Sequence, residues 1–211
     1  ASNTLQVGRV LAAAFESLPL PEGLFHYIEI PGKEAGPAMI SGGVDKLFFT
    51  GSTAVGRELM ALAAPRLLPL VLELGGADAA IIRADADLER AAAGLVWAGL
   101  ANAGQSCGGA QRLFVHQSVY DEFLAILTRR VQALRVGPSF IGDEPQWDCD
   151  MGCMTSRQQK EEVRRQVQAC LDAGARIAAR SPSGDMDGPG LDFPALILND
   201  VKPDMPIMGE E

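Results

Sequence analysis

Short apolar runs alternate with longer amphipathic stretches along this chain. Four short runs predict buried strands, at residues 45–50, 67–74, 79–82 and 111–116. Stretches whose apolar residues recur every three or four positions predict helices, at residues 6–17, 52–64, 87–101, 118–135 and 156–173. Because strands that alternate with helices usually pair through crossover connections, the pattern favours a parallel α/β sheet.

Shorter signals complete the predicted order of elements. Residues 25–30 alternate in strand fashion, a turn is expected at 31–33, and a short helix around 37–40. Further strands are expected near residue 177 and at 196–201, with turn-rich loops at 137–152 and 181–190. The residues expected to cap helices are Ser2 or Asn3, Asp87, Ser118, and Thr155 or Ser156.

Composition and charge narrow the class of protein. The chain has 211 residues, of which 47% are hydrophobic and 21% charged, as in a globular protein with one large domain or two small ones. Its 18 basic and 27 acidic side chains give a net charge of −9, which disfavours nucleic acid and anionic membranes as partners. No apolar run reaches 18 residues and no signal pattern precedes the first helix, so we expect a cytoplasmic protein without a membrane span.

The four cysteines are expected to be scattered free thiols in a reducing compartment. Cys149 and Cys153 lie four apart, but no second pair follows at zinc spacing, so no metal site is expected. Residues 157–165 mix both charge signs, as expected of a solvated helix face, and Trp97 is expected in the core.

The first candidate for chemistry is the segment 49–56, Phe-Thr-Gly-Ser-Thr-Ala-Val-Gly, where a strand turns into a helix. Backbone N–H groups and the helix dipole at such a point favour a phosphate group. Gly51 would let a ligand approach the backbone, and Ser52 could both cap the helix and donate to phosphate oxygens. Taken alone, the pattern is more often that of a tight strand-to-helix turn.

A second candidate is Glu73, which leaves an apolar run just before Gly75 and Gly76. Burial there would raise its pKa and suit it to act as a general base. An isolated glutamate at a strand end more often faces solvent.

The third candidate is Cys107, which lies among small residues in the segment 102–109, Asn-Ala-Gly-Gln-Ser-Cys-Gly-Gly. Small neighbours leave room for a substrate, and nearby backbone N–H groups can stabilise a thiolate and an oxyanion. In isolation, a buried inert cysteine is the more common reading.

Together and in this order, the three segments resemble the aldehyde dehydrogenase superfamily. The Glu73-to-Cys107 separation of 34 residues (107 − 73) is of the family kind. Further similarity runs through residues 85–89, 120–123, 150–152 and 203–211, so the resemblance covers essentially the whole chain.

The resemblance implies oxidation of an aldehyde to a carboxylic acid with NAD or NADP. Cys107 would form a thiohemiacetal and then a thioester, which water activated by Glu73 would hydrolyse. The residues that the resemblance assigns to the cofactor are Gly51, Ser52, Gly56, Leu74, Gly75, Gln159 and Glu211. The expected partners are a small aldehyde substrate and further copies of the chain.

The resemblance also implies the fold and its limits. Residues 1–75 would form the C-terminal part of a Rossmann-type NAD(P)-binding domain, and residues 76–211 the N-terminal part of an α/β catalytic domain. The family's second oxyanion donor, an asparagine, and its adenosine-ribose lysine have no counterpart here, so we expect a central fragment that is inactive alone and self-associates. The alternatives are a non-catalytic nucleotide-binding or assembly module, and an enzyme that transfers the acyl group to coenzyme A.

Overall fold

The structure is a computed structural model that describes residues 3–138, 140–142 and 144–210. Its helices and strands form two compact units, Ala1–Leu74 and Gly75–Glu211, called here the first and the second unit. Helices and strands alternate in both, so the chain has the predicted α/β character.

The first unit contains α1 (Leu5–Glu16), α2 (Gly32–Gly42), β1 (Leu47–Thr50), α3 (Thr53–Ala63) and β2 (Leu70–Glu73). Strands β1 and β2 pair in parallel, as predicted, with Thr50 opposite Glu73. Helix α3 crosses from one strand to the other, and its apolar face contributes Leu59 and Ala63 to a small core with Leu47.

The predicted strand at residues 25–30 is wrong. Among the described residues this segment joins no strand and packs on α1 instead. The rings of Phe15 and Phe25 stack with centroids 4.4 Å apart, and the Tyr27 hydroxyl donates to the Leu5 carbonyl at 3.3 Å. The alternating apolar residues of 25–30 thus pack on the surface of α1 instead of pairing with a neighbouring strand.

Two other local predictions also fail. The turn expected at 31–33 is the start of α2, whose first turn is anchored where the Glu34 N–H donates to the Pro31 carbonyl at 2.9 Å. Helix α1 begins after Thr4 and not after Asn3, while Ser2 lies outside the described residues.

The second unit contains β3 (Asp78–Ile82), α4 (Leu88–Leu100), β4 (Ala110–Val115), α5 (Tyr120–Gln132), β5 (Phe140–Ile141), β6 (Glu144–Pro145), α6 (Arg157–Asp172), β7 (Arg176–Arg180) and β8 (Leu196–Asn199). Strands β3 and β4 are parallel, with α4 as the crossover. Strands β7 and β8 are antiparallel, so the parallel prediction does not extend to them.

Helices α4 and α5 pack together over β3 and β4. Ala92 and Phe123 are almost completely buried between them, with Ile82 contributed by β3. Trp97, expected in the core, is 75% exposed on α4. The cap expected at Ser118 is also wrong, because the His116 ring nitrogen accepts the Ser118 N–H at 3.2 Å and α5 begins after a short 3-10 turn.

Candidate active site

The strand-to-helix turn of the first unit carries two of the residues assigned to the cofactor, Gly51 and Ser52. Ser52 caps α3 and accepts the Val55 N–H at 3.4 Å, and the Gly51 N–H donates to the Glu73 carbonyl at 3.0 Å. The second bond extends the β1–β2 pairing by one residue and holds the turn beside the end of β2. Because the helix N-terminus and its dipole point out of this turn, the residues present fit a phosphate group.

Gly56 has a separate and steric role. A Cβ at this position would lie 2.9 Å from a methyl group of Leu74, so a larger residue would displace the end of that side chain. Gly56 and Leu74, both assigned to the cofactor, are therefore in close contact.

Glu73 is the last residue of β2, and its side chain is exposed. The burial of the Glu73 carboxyl that was expected from the sequence is therefore not observed. Its backbone is held by β1 and the residue after it, through pairing with Thr50 and the bond from Gly51. An exposed carboxylate on a fixed backbone is accessible to water, which is what a base acting on water needs.

Cys107 lies in a turn of the second unit and is exposed. It is not the buried inert cysteine that its surroundings in the sequence would most commonly indicate. The backbone beside it is packed: a Cβ at Gly76 would lie 2.8 Å from the Cys107 carbonyl oxygen. Gly76 was not among the predicted site residues. The pair of glycines at 75 and 76 could have indicated a close approach of two backbone segments.

The segment that leads to Cys107 adopts an unusual backbone. Asn102, Ala103 and Gly104 have φ of 55°, 57° and 74°, which places three successive residues in the left-handed region. Such a conformation costs energy for residues other than glycine and persists only where surrounding contacts hold it. Sequence reasoning missed this feature, because a run of small residues does not reveal its dihedral angles.

Gln159 lies in the first turn of α6, and its side chain is exposed. Ser156 caps this helix and accepts the Gln159 N–H at 3.2 Å, as one of the two predicted caps. Glu211, also assigned to the cofactor, lies outside the described residues. Its neighbour Glu210 forms an ion pair with Arg165 of α6 at 2.7 Å.

Helix α6 also corrects an expectation about residues 157–165. Lys160 is completely buried and is not part of a solvated face. Its Nζ donates to the carbonyls of Asp185, Gly188 and Gly190 at 2.6, 3.0 and 2.9 Å. The lysine therefore organises the polar loop before β8 through the hydrogen bonds of one side chain.

Two ionisable groups in the segment before α6, Asp150 and Cys153, have shifted pKa values. Hydrogen bonds from the Arg135 side chain and N–H lower the pKa of Asp150 to about 2. Burial raises the pKa of the Cys153 thiol, which favours its protonated form. Within the part of the chain that the structure describes, no group of histidine, cysteine and carboxylate side chains could hold a metal ion.

The predicted site residues thus divide between the units. Gly51, Ser52, Gly56, Glu73 and Leu74 belong to the first unit, whereas Gly75, Cys107 and Gln159 belong to the second. Across residues 3–138, 140–142 and 144–210, no helix has the length and apolar character required to cross a membrane.

Comparison with known proteins identifies the family. The sequence model of the aldehyde dehydrogenase family matches residues 1–211. The chain is 35% identical over 207 residues to a 4,4'-diapolycopene aldehyde oxidase of Methylomonas sp, covering 98% of this chain and 37% of that protein. It is 33% identical over 211 residues to an NADP(+) succinate-semialdehyde dehydrogenase of Mycobacterium avium, covering 100% of this chain and 43% of that protein.

A solved structure agrees with this match. The NAD+ complex of an aldehyde dehydrogenase from Bacillus cereus superposes with a TM-score of 0.85 at 30% identity, over 96% of this chain and 40% of that one. The chain therefore spans less than half the length of the relatives that it matches. With a match along its whole length in sequence, and along nearly all of it in structure, the chain belongs to the aldehyde dehydrogenase family.

Proposed function

We propose that this chain carries the central part of an NAD(P)+-dependent enzyme that oxidises an aldehyde to a carboxylic acid. The observation that carries the proposal is Cys107, an exposed thiol on a constrained turn, in a chain that matches the family along its whole length. Exposure matters because a nucleophile must meet its substrate, and a constrained turn fixes the direction of approach.

Cys107 performs the first step in this proposal. Its thiolate attacks the aldehyde carbon and forms a thiohemiacetal, whose loss of hydride leaves a thioester on the sulfur. The N–H of Cys107 donates to the oxygen that becomes negatively charged during the attack. NAD(P)+ supplies the hydride acceptor.

Glu73 performs the second step. Its exposed carboxylate accepts a proton from water, which attacks the thioester carbon and releases the carboxylic acid and the Cys107 thiolate. The bond from the Gly51 N–H to the Glu73 carbonyl supports this assignment, since it holds the proposed base beside the turn that fits a phosphate group.

The residues proposed for the cofactor are those that match the family's motifs. Gly51 and Ser52 would bind a phosphate group of the cofactor at the N-terminus of α3, and the Leu74 side chain packs against the same helix at Gly56. By the same resemblance, Leu74, Gly75 and Gln159 would contact the cofactor, and the assignment of Glu211, which lies outside the described residues, stays a prediction. The names of two similar proteins support the cofactor class, since one states NADP(+) and the other an NAD+ complex.

The experiment that tests the proposal uses the product of the complete open reading frame around these residues. Cys107→Ala should lower NAD(P)+-dependent aldehyde oxidation by about 10³-fold or more, since the covalent route is lost. Cys149→Ala is the matched control and should leave turnover unchanged. Turnover that survives Cys107→Ala would contradict the proposal and favour a non-catalytic nucleotide-binding or assembly module.

The alternative of acyl transfer to coenzyme A is tested at Glu73. Glu73→Gln keeps the size of the side chain but cannot accept the proton of water, so release of the free acid should fall by about 10²- to 10⁴-fold. If Glu73→Gln oxidises the aldehyde at an unchanged rate with coenzyme A as the acyl acceptor, the acyl-transfer enzyme is favoured.

We further propose that the 211-residue chain, made alone, is inactive and associates with itself. Large apolar side chains are exposed in both units, among them Val10 at 70%, Ile81 at 78% and Trp97 at 75%. Contiguous exposed apolar surface promotes association. Light scattering should show oligomers, and a monodisperse monomer would contradict this part.

A further inference from the structure

The turn before Cys107 needs contacts to hold it. Asn102 and Ala103 both have left-handed dihedral angles, and of the two only asparagine tolerates them well. Because a strained backbone persists only where neighbouring groups hold it, residues 102–105 must be held by specific contacts.

Gln105 closes the turn from its C-terminal side. Its N–H and its Nε2 both donate to the Asn102 carbonyl, at 3.2 and 2.9 Å. In return, Asn102 Nδ2 donates to the Gln105 carbonyl at 3.1 Å. Each residue therefore bonds the backbone of the other through its side-chain amide, which ties both ends of the left-handed segment together.

The same Gln105 side chain also reaches a distant part of the second unit. Its Oε1 accepts the Thr155 N–H at 2.8 Å, 50 residues along the chain. Thr155 directly precedes Ser156, the cap of α6, and Gln159 lies in the first turn of that helix. One amide group thus binds the turn before Cys107 with its nitrogen and the start of α6 with its oxygen.

We propose that Gln105 is a positioning residue that holds the Cys107 turn in a fixed place relative to the start of α6. This inference rests on the proposed function, since the position of Cys107 matters because it is the nucleophile. The amide is suited to the role because it both donates and accepts, and each of its two ends meets a backbone group of the opposite kind. Gln105 touches no reacting atom in this arrangement.

The experiment compares variants of Gln105 by two measurements. Hydrogen exchange of the Thr155 N–H reports the bond to α6, and the rate of Cys107 alkylation by iodoacetamide reports the turn. Gln105→Glu keeps an oxygen that can accept from Thr155 but loses the donor to the Asn102 carbonyl. Gln168→Ala is the matched control, since Gln168 bonds Asp172 on an exposed face of α6.

In Gln105→Ala, exchange at Thr155 should be about 3- to 10-fold faster, the range implied by the loss of one hydrogen bond. Alkylation of Cys107, normalised to Cys149, should change by about the same factor, because the exposed thiol lies on the turn that the substitution loosens. Gln105→Glu should restore the protection of Thr155 but not the Cys107 rate.

Unchanged exchange at Thr155 in Gln105→Ala would overturn the proposal. It would also be overturned if Gln168→Ala changed both measurements as much, because the effect would then be general destabilisation. The proposed function fails by a different result, namely turnover that survives Cys107→Ala, and that result leaves the Thr155 measurement unaffected.

Discussion

The turn at Ser52 and the turn before Cys107 both carry residues with a proposed function, yet they are built differently. Ser52 caps its helix by accepting the N–H of Val55, three residues away, and the turn is further fixed by the strand and helix on either side of it. The Cys107 turn has strained dihedral angles and depends on Gln105, whose partner Thr155 is 50 residues away.

The difference lies in which forces determine the backbone. A strand, a glycine and a serine cap are each favoured locally, so the first turn follows from short-range preferences. Left-handed angles are disfavoured for Ala103, so the second turn depends on contacts with distant segments of the second unit. We therefore expect long-range bonds in the second unit to contribute more to stability than the local cap in the first.

The strongest test of this comparison removes the bonds of Lys160. Lys160→Met keeps most of the buried stem but leaves the carbonyls of Asp185, Gly188 and Gly190 without their donor. We expect a loss of about 2–4 kcal/mol in the free energy of unfolding of the second unit, because three part-buried hydrogen bonds from a charged donor are lost together. The urea dependence of alkylation at the fully buried Cys170 measures it.

Lys202→Met is the matched control, since Lys202 is exposed. Its effect should stay within about 0.5 kcal/mol. A Lys160→Met variant as stable as the control would break the comparison, because the loop before β8 would then hold its shape without long-range bonds.

A smaller effect is expected at Ser52. Ser52→Ala removes the cap of α3 and should destabilise that helix by about 1 kcal/mol, whereas Ser52→Gly should cost only a few tenths of that amount. Hydrogen exchange of the α3 amide groups, followed by mass spectrometry, measures both. Faster exchange in the second unit as well would show that this turn is not a local structure.

The smallest effect concerns the bond between Arg135 and Asp150, which are 15 residues apart. Asp150→Asn should cost about 0.5–1 kcal/mol at pH 7, because the pair is partly solvent-exposed and therefore screened. The pKa of Asp150 is lowered to about 2, so its stabilisation is present above the ordinary carboxyl range and is lost as the pH falls toward 2.

The urea dependence of the circular dichroism signal at pH 7 and at pH 2 checks this prediction. The difference between the natural chain and Asp150→Asn should shrink at the lower pH. A difference that grows on acidification would mean that the bond to Arg135 does not stabilise the folded form.

Much of the fold was predictable where local preferences and burial agree. The parallel strands β1 and β2, the helix that Ser52 caps and the cap at Asp87 follow from short patterns, and the structure confirms them. The stretch at 25–30 was predicted wrongly because the alternation of its side chains does not reveal whether a strand or the face of α1 will cover them.

By itself, the sequence determined the family, the α/β class and the candidates Cys107 and Glu73, because residue types and their spacing carry that information. Only the tertiary structure decided that Cys107 is exposed, that the turn before it is left-handed, and that Lys160 is buried. The physical reason is that burial and strained dihedral angles depend on contacts between segments 25 to 50 residues apart, which no short pattern records.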